Sequence, residues 1–190
     1  MSHLTEGMTF DRAALAEKPL TKGEYDNCTF TGCDLSGADL SGMRFIQCTF
    51  TGCNLSMARI TKTVWMDATF KDCKMLGLRW DSCDPFGLAL MPDGCVMDHS
   101  SFYGVKLRKA VFRHTQMRET DLTECDLTGA TLHHCDLAGA TFDNTILEKA
   151  DLSTALNYTI DPDRNKIKKA HFALHGLPGL LAKYDIRIDI

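Results

Sequence analysis

The chain of 190 residues lacks most of what marks a catalyst. It has no nucleophile elbow, no phosphate-cradling glycine loop, no dinucleotide fingerprint and no metal-ligand spacing. No catalytic residue, metal or cofactor is therefore expected, and the chain is read as a non-enzyme. Long apolar runs are also missing, so nothing approaches the length that spans a bilayer. The opening Met1-Ser2-His3-Leu4-Thr5-Glu6 has no basic-then-apolar leader pattern, which makes a cytoplasmic location the expectation. The formal net charge is only -4, so neither nucleic acid nor an anionic membrane is expected to attract the chain directly.

Cysteine is plentiful, but C-x-x-C pairs are absent. The count is nine, an odd number. Cys28, Cys33, Cys48, Cys53, Cys73, Cys83, Cys95, Cys125 and Cys135 all occupy one slot of a five-residue repeat, a slot filled elsewhere by Ala38, Ala58, Ala130 and Ala140. Cysteine in that setting behaves as a small buried hydrophobe. The nine are expected to be free, inert thiols in a reducing compartment.

The repeat runs from about Tyr25 to Leu152. Cys28-Thr29-Phe30-Thr31-Gly32, Cys33-Asp34-Leu35-Ser36-Gly37 and Ala38-Asp39-Leu40-Ser41-Gly42 show its form: small, polar, large apolar, then two small or polar residues. A period of five fits neither the 3.6 of a helix nor the 2 of an ordinary strand. It fits one side of a square, with the small and large residues pointing inward. Four blocks close a coil of about twenty residues, and coils stack at roughly the 4.8 Å strand spacing. Residues twenty apart then form columns. Tyr25, Phe45 and Trp65 make one, and Phe30, Phe50 and Phe70 the next. Leu35, Leu55 and Met75 make the third, and Leu40, Ile60 and Trp80 the fourth. Two adjacent aromatic columns support four blocks per coil and should stiffen that edge.

The pattern breaks at Asp84-Pro85-Phe86-Gly87-Leu88-Ala89-Leu90-Met91-Pro92-Asp93-Gly94 and resumes two residues out of phase. Proline cannot donate to a ladder, and Asp-Gly is turn chemistry, so a loop over 84–94 is expected. Its Asp84, Pro85, Phe86, Leu88, Leu90, Met91, Pro92 and Asp93 are candidates either for packing back or for contacting a partner. The second run is mostly leucine and ends at Leu152. Residues 1–24 read as an N-terminal cap out of register, residues 25–156 as the solenoid, and residues 157–190 as a C-terminal cap. In that cap a short helix is expected near Pro178 and a strand over Asp185–Ile190, with an apolar face suited to pairing with a second copy. Phe172, Leu174, Leu177, Leu180, Leu181, Ile186 and Ile188 are the candidate dimerisation residues.

Charge divides the two runs. Basic residues slightly exceed acidic ones between Asp34 and Arg79. Between Glu119 and Asp151 there are eight acidic residues, Glu119, Asp121, Glu124, Asp126, Asp136, Asp143, Glu148 and Asp151, against the single base Lys149. An anionic surface beside the C-terminal cap is expected to contact a basic partner. His133 and His134 fall at the corner of a block and should point to solvent.

The repeat resembles that of the pentapeptide repeat family, which implies an all-β, right-handed quadrilateral parallel β-helix. The segments Cys73-Lys74-Met75-Leu76-Gly77-Leu78-Arg79-Trp80 and Ser101-Phe102-Tyr103-Gly104, and the tail from Asn157-Tyr158 through Asn165, Ile167, Ala170, Phe172 and Leu174, look most like the albicidin-immunity branch of that family. More loosely the chain is similar to its quinolone-resistance, mycobacterial and microcin-immunity branches. This resemblance implies a homodimeric DNA mimic that binds bacterial DNA gyrase, in some relatives topoisomerase IV, and relieves poisoning by inhibitors. It also implies that loops on the rod can be needed for protection. The alternative is a repeat scaffold with another partner.

Overall fold

The computed structural model describes residues 3–17 and 19–189. The blocks stack as the five-residue period requires, in a four-sided parallel β-solenoid. Its described strands are β1 His3–Glu6, β2 Thr9–Asp11, β3 Gly23–Asp26, β4 Thr29–Thr31, β5 Arg44–Ile46, β6 Thr49–Thr51, β7 Val64–Met66, β8 Ala68–Lys71, β9 Leu90–Asp93, β10 Val111–Arg113 and β11 Thr131–His133. One face, here face 1, carries the sheet β1-β3-β5-β7. Face 2 carries seven strands, from β2 to β11. Faces 3 and 4 are held by single parallel bridges, such as Asp34↔Asn54↔Lys74 and Ser101↔Asp121↔Thr141. Partners are twenty residues apart, as in Tyr25↔Phe45↔Trp65 and Phe30↔Phe50↔Phe70.

The columns are stacked rings. Phe30 and Phe50 lie 4.5 Å apart at 4°, and Phe45 and Trp65 lie 4.6 Å apart at 13°. Rings of neighbouring columns meet edge to face, as Phe45 and Phe50 do at 73°. Both arrangements suit aromatic quadrupoles. Above the break the core turns to leucine, with Leu107, Leu122, Leu127, Leu132, Leu137, Leu147 and Leu152 all buried.

The small inward slot does more than save space. Its side chains donate hydrogen bonds to carbonyls of the coil beneath, which point into the core. Cys48 Sγ donates to the Tyr25 carbonyl at 3.3 Å and Cys53 Sγ to that of Phe30 at 3.3 Å. Thr63 and Thr145 hydroxyls do the same to Leu40 and Leu122, both at 2.8 Å. The Asn165 amide donates to Phe142 at 3.1 Å. A buried carbonyl without a partner is costly, so cysteine here serves as a weak donor as well as a small apolar filler. All nine cysteines are free and buried, and burial pushes thiols such as Cys48, Cys83 and Cys125 up to about 12.

Both ends depart from the expected boundaries. The first 24 residues were expected to be out of register, yet β1 and β2 add a further coil, with Leu4↔Glu24 and Phe10↔Phe30 in line. Phe10, Leu15 and Leu20 all pack on the core at multiples of five. The helix α1, Arg12–Glu17, interrupts this coil. Asp11 caps it by accepting from the Ala14 N–H at 2.8 Å. At the other end the repeat does not stop at Leu152. After the detour 157–164, Lys166 pairs with Ile146 and His171 with Asp151. Asn165-Lys166-Ile167 and Ala170-His171-Phe172 are two more sides of the square. The mouth at the first coil is open, a cavity of about 440 Å³ lined by residues including Leu4, Met8, Phe10 and Tyr25. The far end is plugged. Tyr158 is buried, and the helix α2, Pro178–Leu181, closes over it. A Cβ on Gly179 would lie 2.1 Å from the Tyr158 carbonyl oxygen, so only glycine permits this approach.

The strand expected over Asp185–Ile190 is absent from Asp185 to Asp189. Those residues are exposed, because no strand among the described residues lies alongside to pair with them; Ile190 lies outside the described residues. No helix among the described residues is long and apolar enough to cross a membrane.

Candidate functional site: the register break and the charged faces

The expected loop 84–94 is smaller than its sequence suggests. Lys71 pairs with Asp93, twenty-two residues on, so only two residues are inserted. The detour is confined to 84–89. Asp84 starts it by accepting from the Phe86 N–H at 2.8 Å. Pro85 and Phe86 are exposed, Phe86 at 69%. Leu88 turns back to bridge Met66 in the antiparallel sense and packs on the core. Leu90, Met91, Pro92 and Asp93 are not loop at all. They form β9, with Leu90 and Pro92 inward and Met91 outward. Pro92 occupies the large slot of the Phe50–Phe70 column. Proline supplies no N–H, and β9 joins β10 at a single pair, Asp93↔Arg113.

The face 1 sheet ends at this point. A notch of about 220 Å³ opens between the detour and the next coil, lined by Trp80, Pro85, Leu88, Tyr103 and Lys106 among others. On the far side of the detour a second groove of about 180 Å³ is lined in part by Lys106, Arg108 and Lys109.

The eight carboxylates expected on one surface do not share one. A contiguous stretch of 119–151 winds more than once around a four-sided rod. Residues on the same face lie twenty apart instead. Asp121, Glu124 and Asp143 fall on face 4, where the Glu124 N–H donates to the Asp143 carbonyl at 2.8 Å. Glu119 and Asp136 lie on face 3, Asp126 and Glu148 on face 1, and Asp151 on face 2. Five are matched by a base one coil away. Asp126 meets Arg108 at 2.5 Å, Asp136 meets Arg118 at 2.7 Å, and Asp143 meets Arg164 at 2.6 Å. Glu119 and Asp151 face His99 and His171. Burial raises the Asp126 and Asp136 carboxyls, but the hydrogen bonds they accept outweigh it and both lie below the usual carboxylate range.

The same winding gathers bases that look scattered in sequence. Lys106, Arg108, Lys109, Lys149, Lys166, Lys168 and Lys169 all lie on face 1 above the break. Against them stand Asp126 and Glu148. This basic face escaped the sequence reading, although spacings of twenty, forty and sixty residues signal it.

The candidate dimerisation residues divide. Phe172 and Leu180 are half-buried against the core of their own chain. Leu174, Leu177, Leu181, Ile186 and Ile188 are exposed, joined by Tyr184. All belong to the segment that closes the plugged end of the rod and the tail after it.

Family models decide the kinship. A pentapeptide repeat region is matched over residues 24–87, and pentapeptide repeats over 93–123 and 120–155. The chain is a pentapeptide repeat protein. The gap between the matched segments, residues 88–92, takes in the end of the detour and most of β9. No curated protein sequence matches it. Among solved structures the repeat protein is similar to trypsin-treated variants of QnrB1, described as a plasmid-mediated fluoroquinolone resistance protein. One is 22% identical with a TM-score of 0.49, covering 99% of this chain and 98% of that one. Another is 21% identical with a TM-score of 0.47 and the same coverage. HetL, involved in heterocyst differentiation regulation in the cyanobacterium Nostoc sp. strain PCC 7120, is 15% identical with a TM-score of 0.42. That match covers 88% of this chain and 84% of that one.

Proposed function

We propose that this pentapeptide repeat protein is a non-catalytic binding protein that docks DNA gyrase, and topoisomerase IV by the same chemistry, as a DNA-mimicking homodimer, and so confers resistance or immunity to topoisomerase poisons. One observation carries the reading: an anionic edge on face 4, Asp121 and Glu124 beside the Arg164-paired Asp143, runs along a filled rod toward the exposed apolar residues of its plugged end. Two chains joined through Leu174, Leu177, Leu181, Ile186 and Ile188 would place the two edges about a two-fold axis. Duplex DNA is also a rod of regularly spaced negative charge, about one per 1.7 Å. A basic DNA saddle is the natural partner of such an edge. The resemblance of the tail 157–174 to the albicidin-immunity branch supports the same partner. The detour 84–89, with Phe86 extended from the rod, is the element placed to tune release of a poison.

The deciding experiment is a gyrase supercoiling assay with a poison, with and without this protein. Rescue of supercoiling, or inhibition by the protein alone, is expected at micromolar concentrations; the absence of both effects would sink the reading. Ile186→Asp with Ile188→Asp should give a monomer by light scattering, and an unchanged dimer removes the tail from the interface.

The basic face favours a second reading, a scaffold whose partner is acidic. Seven bases against two acids on face 1 repel a basic saddle. Capture from bacterial lysate separates the two, since gyrase subunits are absent from the bound fraction if the scaffold reading holds.

A further inference from the structure

His114, His133 and His134 belong to neither the anionic edge nor the basic face. They lie together on face 2, directly above the break. His114 and His134 occupy the same corner slot twenty residues apart, each in the left-handed region at φ 48 and 52. That shared backbone stacks their rings, 5.5 Å apart at 20°. His133 is the last residue of β11, and its ring lies 4.3 Å from that of His134 and 5.6 Å from that of His114. One ring nitrogen from each of the three comes within 4.8 Å of the others.

We propose that these three histidines form a binding site for a borderline divalent transition-metal ion, of the zinc, nickel or copper(II) class. Imidazole suits those ions, whereas calcium and magnesium require oxygen. The thiols nearby in sequence, Cys95 and Cys135, are buried in the core and cannot compete. Nitrogens bound at about 2.0–2.1 Å in a tetrahedral shell lie roughly 3.3 Å apart, so closing from 4.8 Å requires shifts of about 1 Å. All three rings are exposed and free to make them.

Two features show preparation. Asp93 Oδ1 lies 3.1 Å from His114 Nδ1, a carboxylate–histidine pair that holds the ring and leaves Nε2 for the ion. Beneath the rings the backbone is tied coil to coil: the His114 N–H donates to the His133 carbonyl at 2.9 Å, and the His134 N–H to Thr154 Oγ1 at 3.0 Å. Three protein ligands leave at least one position open, so the site could also accept a side chain of a partner. Its location has a structural consequence. The set Asp93, His114, His133 and His134 spans β9, β10 and β11, and the β9–β10 pairing is a single residue pair. A bound ion would staple three successive coils of face 2 across that single pair.

The test uses the untagged full chain. Zinc, nickel and copper(II) are each titrated into it by calorimetry, with magnesium as the control. One ion per chain with a Kd on the order of micromolar is expected for at least one of the three. His114→Ala, His133→Ala and His134→Ala should each weaken binding at least about tenfold, and Asp93→Asn by about tenfold. The ion should raise the thermal midpoint of the wild type by a few degrees and leave that of His134→Ala unchanged. These side chains are exposed, so the variants should keep the wild-type circular dichroism spectrum. No saturable binding of any of the three metals overturns the proposal. So does binding that survives all three alanine substitutions, which would assign the ion to other histidines.

Discussion

Below the break the rod is filled by stacked aromatic rings with cysteine in many of the small slots; above it, by leucine with threonine and alanine. The backbone geometry is the same on both sides, with the same twenty-residue spacing. The repeat therefore specifies the square, and the residue choice specifies how stiff each half is. In the lower half each ring packs on other rings, stacked along its column or edge to face across columns, so a single loss opens a cavity with rigid walls. In the upper half leucines can relax into a gap. Function need not follow stiffness. The histidines, the anionic edge and the basic face all lie above the break.

Core truncations test this contrast and carry the largest expected effect. Trp65→Ala should cost about 4–5 kcal/mol, because Trp65 stacks on Phe45 and meets Phe50, Phe70 and Trp80 edge-on or tilted. Leu127→Ala should cost about 3 kcal/mol. Urea unfolding of both variants measures the difference. Equal costs would mean that the aromatic columns add no rigidity.

The contrast between the halves was legible in sequence because inward and outward positions alternate within every block, and burial enforces that. What was lost came from treating neighbours in sequence as neighbours on the surface. Eight carboxylates in one stretch were read as one face, while the seven bases that do share a face went unseen. His114 and His134 sit twenty residues apart, so the same arithmetic would have paired them. Ile167 and Phe172 lie on the five-residue count from Leu152 across an irregular detour, as Phe10, Leu15 and Leu20 do before Tyr25. The expected strand at the tail failed for another reason. A strand needs a partner, and sequence alternation does not say whether one is present in the same chain.

The small slot gives the next effect in size. Thr145→Val keeps the shape but removes the hydroxyl's hydrogen bond to the Leu122 carbonyl, which keeps the Cys125 N–H at 3.1 Å, so the cost should be about 1.5 kcal/mol. Cys53→Ala removes only a weak thiol donor to the Phe30 carbonyl and should cost less, about 1 kcal/mol beyond its small loss of volume. If the two costs are the same, the slot is selecting for size alone. In either case Cys48 and Cys83 of the folded wild type should resist a disulfide reagent until the protein is unfolded, since buried thiols raised to about 12 carry almost no thiolate at pH 8.

Acid should weaken the upper half through its paired carboxylates. Asp126 is nearly buried and accepts from Arg108 Nε at 2.5 Å, from the Thr128 N–H at 3.0 Å and from the Thr128 hydroxyl at 2.6 Å. Its folded carboxyl titrates below the unfolded value of about 3.9. A depressed folded value gives stability that is present above the unfolded value and is lost as pH falls through the folded one. Asp136 adds in the same direction. Asp126→Asn should cost about 1–2 kcal/mol at pH 7 and flatten the loss of stability below pH 4. An unchanged acid limb in the variant would assign that loss to other carboxylates.

The smallest effect tests the corner that both halves share. Lys149 turns its corner at φ 59, in the left-handed region that side chains avoid. It is exposed, and among the described residues no ion pair within 4 Å holds it. Lys149→Gly relieves about 1 kcal/mol of backbone strain but gives the unfolded chain more freedom, so a net gain of about 0–1 kcal/mol is expected. Gly139→Ala, in the equivalent slot of another face at φ 70, should move the opposite way by a similar amount. There the new Cβ also comes within 3.2 Å of Glu119 Cγ. Urea unfolding of the pair isolates the corner, since neither change touches the core. Opposite signs would show that every corner works against the same backbone strain, so that the halves differ only in what fills them. A loss in both variants would mean that lysine at the corner stabilises through its own contacts, and the basic face would then have a structural role alongside any binding one.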